Sequence, residues 1–323
     1  MAFQTTNTEH VIRSTLYTNQ LKTRFEDKLT ATPWVYMIPN FTDGDTINIP
    51  SMGQAEIYDY AEGNPVRFGA IDTGNFQFSI NQYKQGGFYI TNKMKQDSWM
   101  ADQLTSQAGR ELQLALDVNV ERAILDVIPN GQTANNPNNI NGIPHRWVTD
   151  GTNQVIELED FAKARYALDE ANIPAMGRIA LVDPTVEFAI STLPVVIGQT
   201  GQNPAWNNFL ETGAATDGTR FLRNIFGFDV YVSPHLKKGV NETINAGSGN
   251  KTSGAGVANL FFSAAGGDKN PIIGLVRQPP KVESWYDPLE QRENYILTMR
   301  YGFSLFRPEN AVVVITDTDQ VFV

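Results

Sequence analysis

The sequence predicts an α+β fold built around two unusually long elements, and three observations carry that expectation. Residues 295–305, YILTMRYGFSL, place Tyr295, Leu297, Met299, Tyr301, Phe303 and Leu305 at alternate positions, the period-2 pattern of a strand with one buried face. At about 3.4 Å per residue this strand reaches roughly 40 Å, about twice the usual length. Residues 98–128 carry Leu104, Ala108, Leu112, Leu116, Val120, Ile124 and Val127 at steps of three and four, a helix of about thirty residues and roughly 45 Å. Residues 151–275 mix helical and strand patterns in short alternation, as a separate α/β block would.

In chain order, residues 9–29 place Ile12, Leu16, Leu21, Phe25 and Leu29 at helical spacing behind Thr8, a possible N-cap. Residues 46–50 and 76–81 alternate and flank a turn-rich stretch with Gly63-Asn64-Pro65, which reads as a long hairpin or finger. The long helix follows, capped at Asp97 or Ser98 and ended by Pro129-Asn130-Gly131. In the middle block, residues 157–171 and 184–192 read as helices. Residues 178–182, 228–233, 259–262 and 272–276 read as strands. A turn at residues 307–310 leads to Val312-Val313-Val314-Ile315, a β-branched run typical of a buried strand. A helix with one apolar face along its length needs an equally long surface to lie on. The C-terminal strand supplies one, with Leu297, Met299, Tyr301 and Phe303 as the expected inward set. The arm and the finger both expose apolar residues that the monomer has no evident way to cover, which points to partner subunits.

Composition narrows the function classes. With 41% hydrophobic and 19% charged residues in 323, the chain folds and is long enough for about two domains. It has no cysteine, which excludes disulfides, thiolate metal sites and cysteine nucleophiles and fits a reducing compartment. The first residues, MAFQTTNTEH, lack the basic and apolar regions of a secretion signal, and no apolar run approaches the roughly 20 residues that span a membrane. The net charge of −10 gives no electrostatic reason to grip a nucleic-acid backbone.

No active site is written in the sequence. His10, His145 and His235 are far apart and in no metal-ligand pattern. There is no G-x-S-x-G elbow, and NAGSGNKTSGAG matches a phosphate loop only in composition. Asp43-Gly44-Asp45 and Asp317-Thr318-Asp319 lack the further ligands of a calcium loop. Glu157 and Asp160 read as solvated charges on an exposed helix face. The expectation is no catalytic residue, no cofactor and no metal.

Four stretches carry a family resemblance that covers essentially the whole chain in element order. GDTINIP leading through IYDYAEGN to FQFSINQYKQGGFYI is similar to an extended loop, and SWMADQLTSQAGRELQLALDVNVERAIL to a spine helix. TRFLRNIFGFDVYVSPHL resembles an axial-domain stretch in which a helix turns at glycine into a strand. RYGFSLFRPENAVVVI is similar to closing strands of a peripheral domain. The chain thus resembles the tailed-bacteriophage major capsid proteins of the Hong Kong 97-like fold. That resemblance implies an N-terminal arm at 1–32, an extended β-hairpin loop at 42–92 and a peripheral domain of long spine helix and long β-sheet at 33–41, 93–150 and 276–323. The axial α/β domain would occupy 151–275.

The resemblance also implies hexamers and pentamers in an icosahedral head enclosing double-stranded DNA, with a portal at one vertex, assembled in the bacterial host cytoplasm. The long helix starts about 100 residues into the sequence, so a separate scaffolding protein is expected, and a separate decoration protein is compatible. Residues 55–73, the loop tip, contain no lysine, so the lysine–asparagine crosslink of some family members is not expected. The tip carries Glu56, Asp59, Glu62 and Asp72 against Arg67, and is expected to meet basic residues of a neighbour, with Arg292, Arg300 and Arg307 as candidates. Leu16 and Phe25 are the arm's candidate contacts. An encapsulin-type cellular compartment shares the fold and differs in its contents. A β-rich enzyme or glycan-binding protein is the alternative of another class.

Overall fold

The computed structural model describes residues 29, 31–38, 44, 46–53, 55–60, 62–63, 65, 68–69, 71, 73–97, 101–133, 135–150, 154–192, 221–240, 244–246, 249–251 and 256–317. The expected arm helix, with Leu16 and Phe25, lies outside these residues apart from Leu29. The first elements are β1 (Val35–Met37), β2 (Thr46–Met52), β3 (Thr73–Ser79), β4 (Gln82–Thr91), α1 (Asn92–Asp97), α2 (Ala101–Leu125) and α3 (Val127–Gly131). Then come β5 (Asn139–Ile140), β6 (Ile143–Pro144), β7 (Arg146–Val148), α4 (Leu158–Glu170), β8 (Arg178–Val182) and α5 (Pro184–Thr192). After these the chain forms β9 (Phe221–Ile225), β10 (Phe228–Val232), β11 (Lys238–Val240), β12 (Ile244–Ala246), β13 (Gly249–Lys251) and β14 (Gly256–Ser263). The last three strands are β15 (Ile272–Asp287), β16 (Arg292–Leu305) and β17 (Ala311–Asp317).

The long strand is half of a longer hairpin. β15 and β16 pair antiparallel from Ile272↔Leu305 to Asp287↔Arg292, and β4 adds to the other side of β16 from Gln82↔Tyr301 to Thr91↔Arg292. With β1 parallel to the start of β15, the order is β1-β15-β16-β4. Only Ile272–Val276 of β15 is legible as a strand, because Pro279-Pro280 interrupts the pattern. The structure absorbs both prolines at register shifts after Val276 and Gln278, where a ladder tolerates residues that cannot donate.

Helix α2 lies on one face of this sheet. Leu112, Leu116, Val120 and Ala123 pack against Leu297, Met299, Tyr301 and Phe303, so the inward set is the one the alternation predicts. Each fully buried side chain of this size contributes about 1.5–3 kcal/mol. The Tyr301 hydroxyl donates to Asn119 Oδ1 at 3.1 Å. Close approach depends on Gly86 of β4, where a Cβ would stand 2.6 Å from Leu112 Cδ1. The helix is shorter than the pattern suggests. Pro129 has no N–H to give to the carbonyl of Leu125, four residues earlier, and α2 ends at Leu125. After a turn at Asp126 the chain resumes as α3, with Pro129 in its first turn. Among the described side chains of α2, Leu116 is the first that is buried.

The second sheet has seven strands in the order β7-β17-β14-β8-β10-β9, with β11 on β14. It is covered on both faces. Ile179, Leu181, Leu260, Phe262, Val313 and Ile315 face the end of α2 and α3 through Ile124, Leu125 and Ile128. Ala180, Val182, Phe261, Val312 and Val314 face α4 and α5 through Phe161, Ala164, Leu168 and Ile190. An uninterrupted β-branched strand such as β17 belongs in such a two-sided sheet. Residues 146–148 and 311–317, assigned by the sequence to the peripheral segments, pair here, and residues 82–91, assigned to the extended loop, pair in the long sheet.

One local expectation changes. The stretch before Gly227 is a strand and not a helix: β9 and β10 form a hairpin through Phe226 (φ 50°) and Gly227 (φ 87°). Both turn residues take the positive φ of a tight type I′ turn. The glycine-rich stretch near residue 250 contains the hairpin β12–β13.

The segment before β1 joins the two sheets. Ala31 is buried, and its N–H is accepted by both carboxylate oxygens of buried Glu121 of α2, each at 3.0 Å. Trp34 packs on Tyr231 and Phe262 of the seven-stranded sheet, with ring centroids 5.3 and 5.7 Å apart.

Candidate assembly surfaces

The finger is a two-stranded antiparallel ladder, β2 with β3, running from Thr46↔Ser79 to Met52↔Thr73. Two strands alone are marginal, and its base is held by its own chain. Phe78 and Ile80, with Ile47, Ile49 and Phe76, pack on Ile273 and Leu275 of β15. The Phe76 and Phe306 rings meet edge to face at 5.2 Å, and Arg277 donates to the carbonyl of Gly44. The expectation that the finger's apolar face lacks cover within the monomer is therefore wrong for the base.

The tip is different. Ile57, Tyr60 and Phe68 are 96%, 84% and 93% exposed, and Glu56, Asp59 and Glu62 stand exposed beside them. The Tyr58 hydroxyl donates to Glu56, which holds its pKa up. Gly63 turns with φ 86°. The charges at the tip were legible in the sequence; the apolar residues between them were missed. Their signal was Ile57, Tyr58 and Tyr60 crowded into a turn-rich stretch with no strand partner. Arg67 and Asp72 lie outside the described residues.

The candidate arginines are apart: Arg292 and Arg300 lie on β16 and Arg307 in the turn after it. Arg292 sits 2.5 Å from Glu290 and over the Tyr89 ring at 4.8 Å. Arg307 is held by the Asp268 carbonyl at 2.5 Å and by Glu309 at 3.4 Å. Arg300 lies with Tyr83 and Gln278 in a small cleft on the sheet face away from α2. The structure does not bring the three together, and two already have acidic partners.

The polar interior has structural employment. Asp160 is buried: Oδ2 accepts from Thr149 Oγ1 at 2.5 Å and from the Glu157 N–H at 3.0 Å, and Oδ1 accepts from Trp147 Nε1 at 3.2 Å. With Glu157 it forms a capping box at the start of α4, which corrects its reading as a solvated charge. Asn259 bridges three strands' ends, accepting from the Asp183 N–H at 3.1 Å and donating to Thr316 Oγ1 at 2.9 Å. His145 is buried with Nδ1 3.2 Å from the Ile143 carbonyl, and burial pushes its pKa down. Among the described residues no three His, Asp or Glu side chains are grouped to hold a metal ion, and no helix is long and apolar enough to cross a membrane. His10, Asp43, Asp45 and Asp319 lie outside the described residues.

A family model described as phage capsid protein matches residues 75–314. Among solved structures, one from Mycobacterium phage Che8 is similar with a TM-score of 0.68 at 16% identity, covering 94% of this chain and 97% of that one. The capsid of cyanophage P-SCSP1u is similar at 0.69 and 14% identity, over 94% and 93% of the two chains. The SrpI encapsulin of Synechococcus elongatus PCC 7942 is similar at 0.58 and 11% identity, over 99% and 98%. A search of curated proteins matches nothing. A finger, a long helix on a long sheet and a second mixed sheet in this order are the Hong Kong 97-like capsid fold. The chain belongs to the phage capsid protein family. Its role is that of a major capsid protein, a structural component of the virion shell.

Proposed function

We propose that the chain assembles as hexamers and pentamers into the icosahedral head of a tailed phage, enclosing double-stranded DNA without binding its sequence. The family match from β3 to β17 carries this reading, and the open tip supports it. Exposed Ile57, Tyr60 and Phe68 have no cover within the described chain, and large apolar side chains grouped in this way mark an interaction site. The finger lies across a neighbouring subunit, and the arm, through Leu16 and Phe25, makes a second contact. The division into arm (1–32), loop (42–92), peripheral (33–41, 93–150, 276–323) and axial (151–275) parts serves this role, with β7 and β17 lending strands to the axial sheet.

Assembly takes place in the host cytoplasm around a separate scaffolding protein, with a portal at one vertex and room for a decoration protein. The tip has no lysine between residues 55 and 73, so the finished shell holds without lysine–asparagine bonds. The net charge of −10 lets packed DNA move against the wall. The subunit carries no catalytic activity, cofactor or metal. Negative-stain microscopy of purified protein is the test: closed shells are expected, and a homogeneous monomer would overturn the reading. Particle contents decide between a phage head, which holds DNA, and an encapsulin-type compartment, which holds cargo protein.

A further inference from the structure

Lys95, Lys163, Lys238 and Lys281 each stand against a carboxylate. Lys237 differs: its ammonium donates to Oδ1 of the Asn130 carboxamide, 107 residues earlier in the chain. A carboxylate is a poor electrophile, so an ion pair is an end state. A carboxamide held against an amine can exchange its nitrogen. Both partners sit on fixed backbone. Asn130 follows buried Ile128 and Pro129 in α3, and a Cβ on Gly131 after it would stand 2.6 Å from Leu305 Cδ2. Lys237 follows buried Leu236, and its carbonyl accepts from the Ala258 N–H at 3.1 Å. Ile128 and Leu236 belong to one core. The fold itself therefore sets the approach of amine to amide, the condition under which a slow intramolecular reaction gains most.

A carboxyl group completes the set. The Asn130 N–H donates to the Asp126 carbonyl at 3.0 Å, one helical turn back, so the two side chains share a face. Both border a cleft of about 590 Å³ beside α2. Burial pushes the Asp126 carboxyl up, while the nearby charges of Lys237 and Arg122 act the other way. Such a group can take a proton from the amine and return it to a leaving nitrogen. We propose that Lys237 and Asn130 condense to an isopeptide bond within the chain, with Asp126 carrying the proton. Nζ loses a proton to the Asp126 carboxylate and adds to Cγ of Asn130. The Cγ–Nδ2 bond breaks, Nδ2 takes up the proton, and ammonia leaves. The product is a secondary amide between Nζ and Cγ, and the chain is one ammonia lighter.

The bond ties α3, which continues the long helix, to the connection between β10 and β11 of the seven-stranded sheet. A crosslink across a loop of this length restricts the unfolded chain strongly. The chain has no cysteine, and an amide forms without the oxidising compartment that a disulfide needs. The bond is a single event inside one subunit. It adds no link between neighbours, gives no ladders, and does not depend on how a shell is built. One reaction competes at the same carbon: the Gly131 nitrogen could close on Asn130 Cγ with the same loss of ammonia. The helical setting of Gly131 and its contact with Leu305 oppose that ring closure.

Intact-mass measurement and peptide mapping of the full chain, incubated at neutral pH as free subunits and as shells, test the proposal without any variant. Most chains are expected to be one ammonia lighter than their sequence, with a branched peptide joining Asn130 to Lys237. On denaturing gels the looped chain should run ahead of Lys237→Arg, which keeps the charge and cannot form the bond. An unaltered mass in both free subunits and shells overturns the proposal. So does a loss of ammonia that persists in Lys237→Arg and maps to Asn130–Gly131, because that is ring closure by the backbone. Asp126→Asn should slow the bond at least about tenfold, and Asp126→Glu should restore part of the rate. A bond that forms equally fast in Asp126→Asn overturns the proton-carrying role.

Discussion

The two sheets of this protein are finished to different degrees. The seven-stranded sheet is closed within the monomer, with helices on one face and the end of α2 and the long sheet's root on the other. The four-stranded sheet has α2 on one face and the finger's base on the root of the other, and the finger that grows from its edge ends in exposed apolar residues. Stability therefore concentrates in the first and incompleteness in the second. A shell subunit needs both: a body that folds before assembly and surfaces that are satisfied only by it.

Substitutions can break that contrast, beginning where the effect is largest. Phe261 lies between Phe161 and Phe228, with ring centroids 5.2 and 5.3 Å away. Phe261→Ala should cost about 3–5 kcal/mol and abolish shells by unfolding the subunit, as a thermal melt of the free protein would show. Gly86→Val in the long sheet should cost about 1–3 kcal/mol by pushing against Leu112. Its melt should fall while the compact seven-stranded core keeps its amide protection. Tyr301→Phe removes one hydrogen bond to Asn119 and should cost about 0.5–1.5 kcal/mol. Ile57→Ser at the tip should change subunit stability by less than about 0.5 kcal/mol yet lower shell yield, and equal loss of both would erase the contrast.

Acid sharpens the same comparison. His145 is buried beside β17, and burial lowers its pKa from 6.5. The folded form holds the neutral ring, so its contribution is complete above pH 6.5 and is lost as pH falls from there toward the folded value. The free subunit should lose stability on acidification below pH 6.5, and His145→Gln should flatten that part of the profile.

Legibility followed burial geometry. The set Leu297, Met299, Tyr301 and Phe303 was readable because one covered face leaves a period-2 record. Strand β17 was readable as buried but not as part of the middle block, because a two-sided strand carries no sign of which sheet holds it. Most of β15 was hidden by Pro279-Pro280, since a bulge that tolerates proline cannot be seen in a pattern. Charges at the tip were visible, and their candidate receivers were chosen by sign alone. That Arg307 is occupied by Asp268 depends on a contact that only the fold makes, whereas the Arg292–Glu290 pair is local in sequence.

Amide hydrogen exchange of free subunits against assembled shells tests the central claim most directly. Residues 55–60 at the finger tip should change from rapid exchange to strong protection on assembly, while β17 exchanges slowly in both states. A tip that exchanges as fast in the shell as in the free subunit would contradict the account.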